Sequence, residues 1–210
     1  MDNKDFYLEG AHLAYRNALA HYKAAKLLSS RVNYGIANSH LILSAEEAIK
    51  AFVLIRKYSG DNITEEKLKP FFSKHTYKQD FLKKALRKVD PMHIIYRYLL
   101  SAMGDTEVLK NLEKQHGIKV TPKEMRSKAK ERMASFDGSE EHKKIGHWLD
   151  EANDIKNTGF YVGLSQSKTQ WVVPAAVSKE QYEESEKIVN SIIDYYLGTW
   201  IKLYSVNKKA

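Results

Sequence analysis

The chain has 210 residues, 34 Lys and Arg against 26 Asp and Glu, a formal charge of +8, and 43% apolar residues. That length bounds it at one or two domains, and the apolar share excludes general disorder. The absence of cysteine excludes disulfides, thiolate metal sites and cysteine nucleophiles, while the basic balance favours anionic partners such as nucleic acid.

The opening Met1 to Gly10 carries Asp2, Asp5 and Glu9 and no apolar h-region, so no secretory signal is expected. Helical period follows. From Phe6 to Ser30, Tyr7, Ala11, Ala14, Ala18, Tyr22, Ala25 and Leu28 recur at steps of three or four. Because most of that stripe is alanine, a partner helix can approach closely. Arg31 to Gly35 reads as a break. A second helix then runs to about Tyr58 and stops at Gly60, a natural C′ residue. Eleven of the fifteen residues from Leu41 to Ile55 are apolar, on all sides, which predicts the central helix of a bundle. This run is too short to span a bilayer, which takes about 20 residues, and it holds Glu46, Glu47 and Lys50. The expectation is a cytoplasmic protein with no membrane partner.

Thr64 is placed to cap a short helix from Glu65 to about Phe72, disturbed by Pro70. Tyr77 to Leu100 reads as helix, interrupted near Asp90 and Pro91. Thr106 to Gln115 is a short amphipathic helix closed by Gly117. Thr121 and Pro122 open another, to about Ala134. After the Asp137–Gly138 turn, Ser139 starts a helix to about Asn157. Thr158 to Val177 reads as a loop or short β-hairpin. Ser178 and Gln181 form a capping box that opens a long helix with Tyr182, Val189, Ile192, Ile193, Tyr196, Trp200 and Leu203 on one side. With no repeat and no linker, the expectation is one all-α domain over 1–210, with a polar helical insertion at about 105–137.

Charges within the second helix are the most informative residues. Glu46 and Lys50, at i and i+4, can pair along the helix. Glu47 shares a face with His40 and Lys50, and a carboxylate there must meet a cation, a hydroxyl or solvent in a cleft. A buried ion pair that pins helix register satisfies the same pattern. Next, His75 stands between Lys74 and Lys78, a histidine able to exchange protons with lysines able to hold a phosphate; a solvated helix cap is the plainer alternative. Then comes Lys156-Asn157-Thr-Gly-Phe-Tyr161, where a helix stop at Gly159 is needed to bring Lys156 and Tyr161 together. The string Arg16-Asn17-Ala-Leu-Ala-His21 resembles a ribonuclease pattern, but five steps of 100° set Arg16 and His21 about 140° apart on a regular helix. Arg87 and His93 form a similar string around Pro91. No P-loop, dinucleotide fingerprint, zincin or G-x-S-x-G motif is present. His142 and His147 beside Glu140 and Glu141 read as a solvated helix start, so no metal and no cofactor is expected.

Taken in order, Arg16-Asn17-Ala18, Leu43-Ser-Ala-Glu-Glu-Ala-Ile-Lys50-Ala51, Lys74-His75-Thr-Tyr-Lys78, Lys156-Asn-Thr-Gly-Phe-Tyr161-Val162 and Trp171-Val-Val-Pro174 resemble the AbiV family of abortive infection proteins, within the HEPN superfamily (higher eukaryotes and prokaryotes nucleotide-binding). The likeness covers roughly Phe6 to Leu203. It implies an all-α bundle, commonly a homodimer, in bacterial defence against phage. Many members of that superfamily are metal-independent endoribonucleases whose arginine and histidine act on the RNA phosphodiester. Here Lys156 and Tyr161 stand where those two residues are expected. Either His75 supplies the histidine from another helix, or the site binds without cutting.

Two functions follow. A toxin-like ribonuclease would use His75 as general acid or base, Lys156 and Lys78 against phosphate charge, Glu47 to orient His75 or Lys156, and Tyr161 as a donor. Lys74, Lys50 and Asn157 complete the RNA- and phosphate-binding set, and a phage-encoded protein is the expected trigger. The segment Lys67 to Lys88, with eight Lys or Arg against one Asp, suits RNA. Alternatively, a non-catalytic protein binds a phage product or the translation machinery and blocks it by occupancy. A homodimer is expected from the alanine stripe and from the aromatic last helix (Tyr182, Tyr195, Tyr196, Trp200, Tyr204).

Overall fold

A computed structural model describes residues 4–74, 77–78, 80–81, 127, 131, 140–164 and 169–193. The chain divides into two compact units, residues 1–80 with 147–210, and residues 81–146. The contacts below lie within the first unit. The sequence-predicted helices between Asp90 and Ala134, the insertion bounds at 105–137, and the Arg87–His93 string fall outside the described residues, Ser127 and Glu131 apart.

The fold is all-α, as the helical period predicts. Its described helices are α1 (Lys4–Ser29), α2 (Tyr34–Tyr58), α3 (Glu65–Ser73), α4 (Glu140–Phe160) and α5 (Lys179–Asn190). Between α4 and α5 lie two short antiparallel strands, β1 (Gly163–Leu164) and β2 (Trp171–Val172), in the register Gly163 to Val172 and Leu164 to Trp171. This is the hairpin alternative for the 158–177 segment. A 3-10 turn at Pro174–Ala176 follows.

Helix α2 is the centre. Sixteen of its 25 residues are buried, on every side, because α1, α3, α4 and α5 all pack against it. The alanine stripe of α1 is the surface that receives it. Ala11, Ala18 and Ala25 have no exposed area, and Ser44 Oγ of α2 donates to the Ala18 carbonyl at 2.7 Å. Small side chains let the two backbones come that close. At these three alanines the stripe is therefore covered within the chain and is not spare surface for a second copy.

Two glycines do different work from the one their positions suggest. Gly35 is not part of the break; the break is shorter, with Val32 in the left-handed region at φ 60°, and Gly35 lies in the first turn of α2. A Cβ on Gly35 would stand 2.0 Å from the Pro174 carbonyl oxygen. Gly159 does not stop α4. The helix passes through it to Phe160, and a Cβ there would stand 2.2 Å from the Gly35 carbonyl oxygen and 2.1 Å from Ser39 Oγ. Both glycines are backbone contact points, where α4 and the 3-10 turn press on α2. Gly60, at φ +100°, does end α2 as predicted.

Other local signals hold in part. Ser178 and Gln181 make both bonds of the capping box, at 3.3 and 2.8 Å. Thr64 occupies the N-cap of α3, but its hydroxyl makes no cap bond. Instead α3 is tied down by Glu65, which accepts from Tyr7 of α1 and pairs with Lys57 of α2 at 2.8 Å. Helix α5 seats Tyr182, Ile188 and Val189 in the core, with Ile192 and Ile193 just beyond it. Trp148 of α4 donates to Ser185 of α5 at 2.8 Å.

Candidate functional site

Polar residues gather where α1, α2 and α4 meet. The buried part is a triad. Glu46 is 3% exposed and holds two lysines, Lys78 Nζ on one carboxylate oxygen and Lys156 Nζ on the other, each at 3.2 Å. Lys156 comes from α4, and Lys78 from the chain after α3. Both lysines are themselves buried. Three charges in so apolar a place are tolerable only as mutual partners. The sequence suggested a Glu46–Lys50 pair, but Glu46 turns inward to the two distant lysines and Lys50 pairs with Glu47, one residue nearer. Lys50 lies about 40° from Glu46 around the helix and about 60° from Glu47, so spacing allows either pair; the carboxylate of Glu46 is occupied by the two distant lysines, and Glu47 and Lys50 both line the seam with α1.

The half-buried part is a pair of histidines. His21 Nδ1 of α1 and His40 Nδ1 of α2 lie 3.0 Å apart, with ring centroids at 5.3 Å, so the rings meet nitrogen to nitrogen. One nitrogen must donate and the other accept. Phe160 packs edge-on against His40 at 5.5 Å. Burial pushes both imidazoles below the ordinary histidine range. At His21, Glu47 and Glu46 work against that shift and Lys50 with it; at His40, charge on His21 deepens it. Burial thus favours the neutral form of both rings, and His21 lies within the field of the Glu47–Lys50 ion pair.

Farther along α1 and α2 the seam opens into a groove of about 360 Å3. Phe6, Leu13, Ala14 and Leu54 form its apolar part, and Phe72 of α3 closes one side. Asn17, Glu47 and Lys50 form its polar part. Gly10 lies in the groove wall, where a Cβ would crowd Leu54 at 3.3 Å. The Lys50 ammonium stands 6.0 Å from the Phe72 ring centroid.

The sequence-predicted residues are dispersed by this arrangement. Glu47 and Lys50 are together at the groove, each 16% exposed. Lys78 and Lys156 are together on Glu46. Tyr161 is 66% exposed, and because α4 continues through Gly159 it is not brought to buried Lys156. Asn157 and Lys74 are exposed. His75 lies outside the described residues. The His21–His40 pair was not expected. Its only sequence signal is that each histidine sits on the polar margin of an otherwise apolar helix face. Arg16 is exposed on a regular helix, so it does not join His21. Among the described residues no three His, Cys, Asp or Glu side chains cluster as metal ligands, and no helix is long and apolar enough to cross a membrane.

The model of the HEPN family described as AbiV matches residues 6–194, nearly the whole described fold. The chain belongs to the AbiV family. That membership associates it with abortive infection, the defence in which an infected bacterium halts before phage mature. No curated protein and no solved structure is significantly similar to it. The family match spans α1 to α5, so the histidine pair, the groove and the buried triad all belong to the AbiV region of the chain.

Proposed function

We propose that the chain is the effector of an abortive-infection response, acting on RNA: it cleaves RNA, or stops translation through it, once a phage-encoded protein triggers it. The observation that carries this reading is the His21–His40 pair, Nδ1 to Nδ1 at 3.0 Å, with the Glu47–Lys50 ion pair acting on His21. The imidazole that donates its Nδ1 proton keeps a basic Nε2; the one that accepts must carry its proton on Nε2. The pair can therefore take a proton at one Nε2, pass that ring's Nδ1 proton across the shared hydrogen bond, and release the Nε2 proton of the other ring. Metal-free cleavage of RNA needs that combination. A base takes the 2′-hydroxyl proton, the 2′ oxygen attacks phosphorus, the bond to the 5′ oxygen breaks, and that oxygen receives a proton. The products are a 2′,3′-cyclic phosphate and a 5′-hydroxyl.

Latency supports the same reading. Lys78 and Lys156, the lysines proposed to meet phosphate charge, are both held by Glu46. A trigger that moves the chain carrying Lys78 would release one lysine from Glu46. The protein is then harmless at rest.

A specific observation favours occupancy as the second reading. Trp171, Tyr161 and Val162 at the hairpin are 70%, 66% and 62% exposed, an apolar surface suited to a protein partner. RNA integrity in phage-challenged bacteria separates the two readings. Cells carry the wild type, His75→Ala, His40→Gln or no protein. New discrete RNA ends in the wild type, lost in either variant, are expected. Intact RNA with phage still blocked by all three versions overturns the ribonuclease reading in favour of occupancy.

A further inference from the structure

The groove beside the histidine pair has the lining of a base-reading pocket. Its flanks are aromatic and accessible: Phe6 is 63% exposed and Phe72 57%. Bases stack on such rings without regard to sequence. Its polar end is not neutral toward sequence. Glu47 offers carboxylate acceptors, Lys50 offers donors, and Asn17 offers both. Because Lys50 already neutralises Glu47, the end is charge-balanced, and a neutral ligand with donors and an acceptor on one edge matches it best.

We infer that this groove binds an unpaired guanine of single-stranded RNA. Guanine presents two adjacent N–H donors, N1 and N2, beside the O6 acceptor. The Glu47 carboxylate accepts from the two donors and Lys50 donates to O6. Adenine presents its amino donor and ring acceptor in the reverse order and sets an acceptor against the carboxylate. The volume of about 360 Å3 lies at the small end of ligand pockets, enough for one base and not for a nucleic-acid duplex. Exposed Lys67, Lys69 and Lys74 are on and just after α3, the helix that supplies Phe72, where a phosphate backbone would leave the groove. Asn17 is one helical turn from His21 on α1, so a guanine in the groove puts its neighbouring phosphate toward the histidine pair. This inference rests on the RNA reading and adds base selectivity to it.

The test is binding of labelled eight-nucleotide RNAs to the purified full chain by fluorescence anisotropy. Oligouridine is compared with the same strand carrying one central guanosine, adenosine or inosine. The guanosine strand is expected to bind about tenfold tighter than the adenosine strand, the range of one bidentate base contact. Inosine, which lacks the N2 donor, should fall between. Glu47→Gln and Asn17→Ala should each erase most of the preference for the guanosine strand over the adenosine strand. Phe72→Ala should weaken every strand. Equal binding of all strands, or a preference that survives Glu47→Gln in a folded protein, overturns the inference and leaves the cleavage reading standing. Binding of guanosine monophosphate without binding of the guanosine strand overturns RNA as the source of the base. No binding of any probe overturns the inference, and intact RNA in infected cells would then remove the cleavage reading separately.

Discussion

Replacing Glu46 by alanine removes the shared counter-ion of two buried ammonium groups. At an effective dielectric of about 20, each 3.2 Å contact carries about 5 kcal/mol of attraction before desolvation. Desolvating three ions costs several kcal/mol each, so the triad as a whole contributes little net stability. Its partial removal is different, because Lys78 and Lys156 stay buried at 5% and 9% exposure with their charges uncompensated. The expected loss for Glu46→Ala is about 3–5 kcal/mol, against a total of about 5–15 kcal/mol for a folded chain. In urea unfolding followed by far-UV circular dichroism, with a slope of about 2–3 kcal/mol/M, the midpoint should fall by about 1.5 M. The triple replacement Glu46→Leu, Lys78→Met, Lys156→Met should recover to within about 1 kcal/mol of wild type, since matched apolar side chains replace such triads at little cost. A midpoint shift under about 0.3 M for Glu46→Ala would refute the reasoning, because it would mean that the lysines leave for solvent and that Glu46 does not hold them. Failure of the triple replacement to recover beyond the single one would show that the triad positions α4 rather than merely neutralising charge.

Gly159→Ala should lower the melting temperature by about 5 °C, through the 1–3 kcal/mol typical of overpacking, because the Gly35 carbonyl it meets is backbone and cannot swing away. Gly146→Ala, with nothing within 4 Å of its Cβ, should instead stabilise by about 0.5–1 kcal/mol; a destabilised Gly146→Ala would contradict the open space there. The histidine pair gives a pH signature. Both folded-state pKa values lie below the ordinary 6.5, so the unfolded chain binds more protons and stability falls as pH drops through 6.5 toward the lowered values. Urea midpoints at pH 7.5 and 5.5 should differ more for wild type than for His21→Gln, and equal differences would show that the pair is not held neutral. Ser178→Ala should cost about 1 kcal/mol by removing the capping box of α5, measured by the same unfolding curves.

Local patterns were enough for the helices because they are written in neighbouring residues. The period of α1, the Gly60 stop and the Ser178 box each depend on side chains within a few positions of one another. The apolar run of α2 likewise announced a helix buried on all sides. Charge pairing was legible only as a requirement. Sequence spacing said that the carboxylates of α2 needed partners, and Glu47 found Lys50 on its own helix. That Glu46 would take Lys78 and Lys156, 32 and 110 residues away, is set by which face α4 covers.

The all-α class and the central helix were thus determined by the sequence by itself, because hydrophobic period and short-range caps are set by residues close along the chain, and the family was legible in the order of its short motifs. What only the tertiary structure decided was the site. His21 and His40 are 19 residues apart on two helices, and nothing in their spacing sets their rings nitrogen to nitrogen. Gly35 and Gly159 had the local look of chain breaks, yet each serves a close approach of distant backbones. The physical reason is the same in every case: a helix fixes which residues share a face, but only its packing against other helices decides what that face meets.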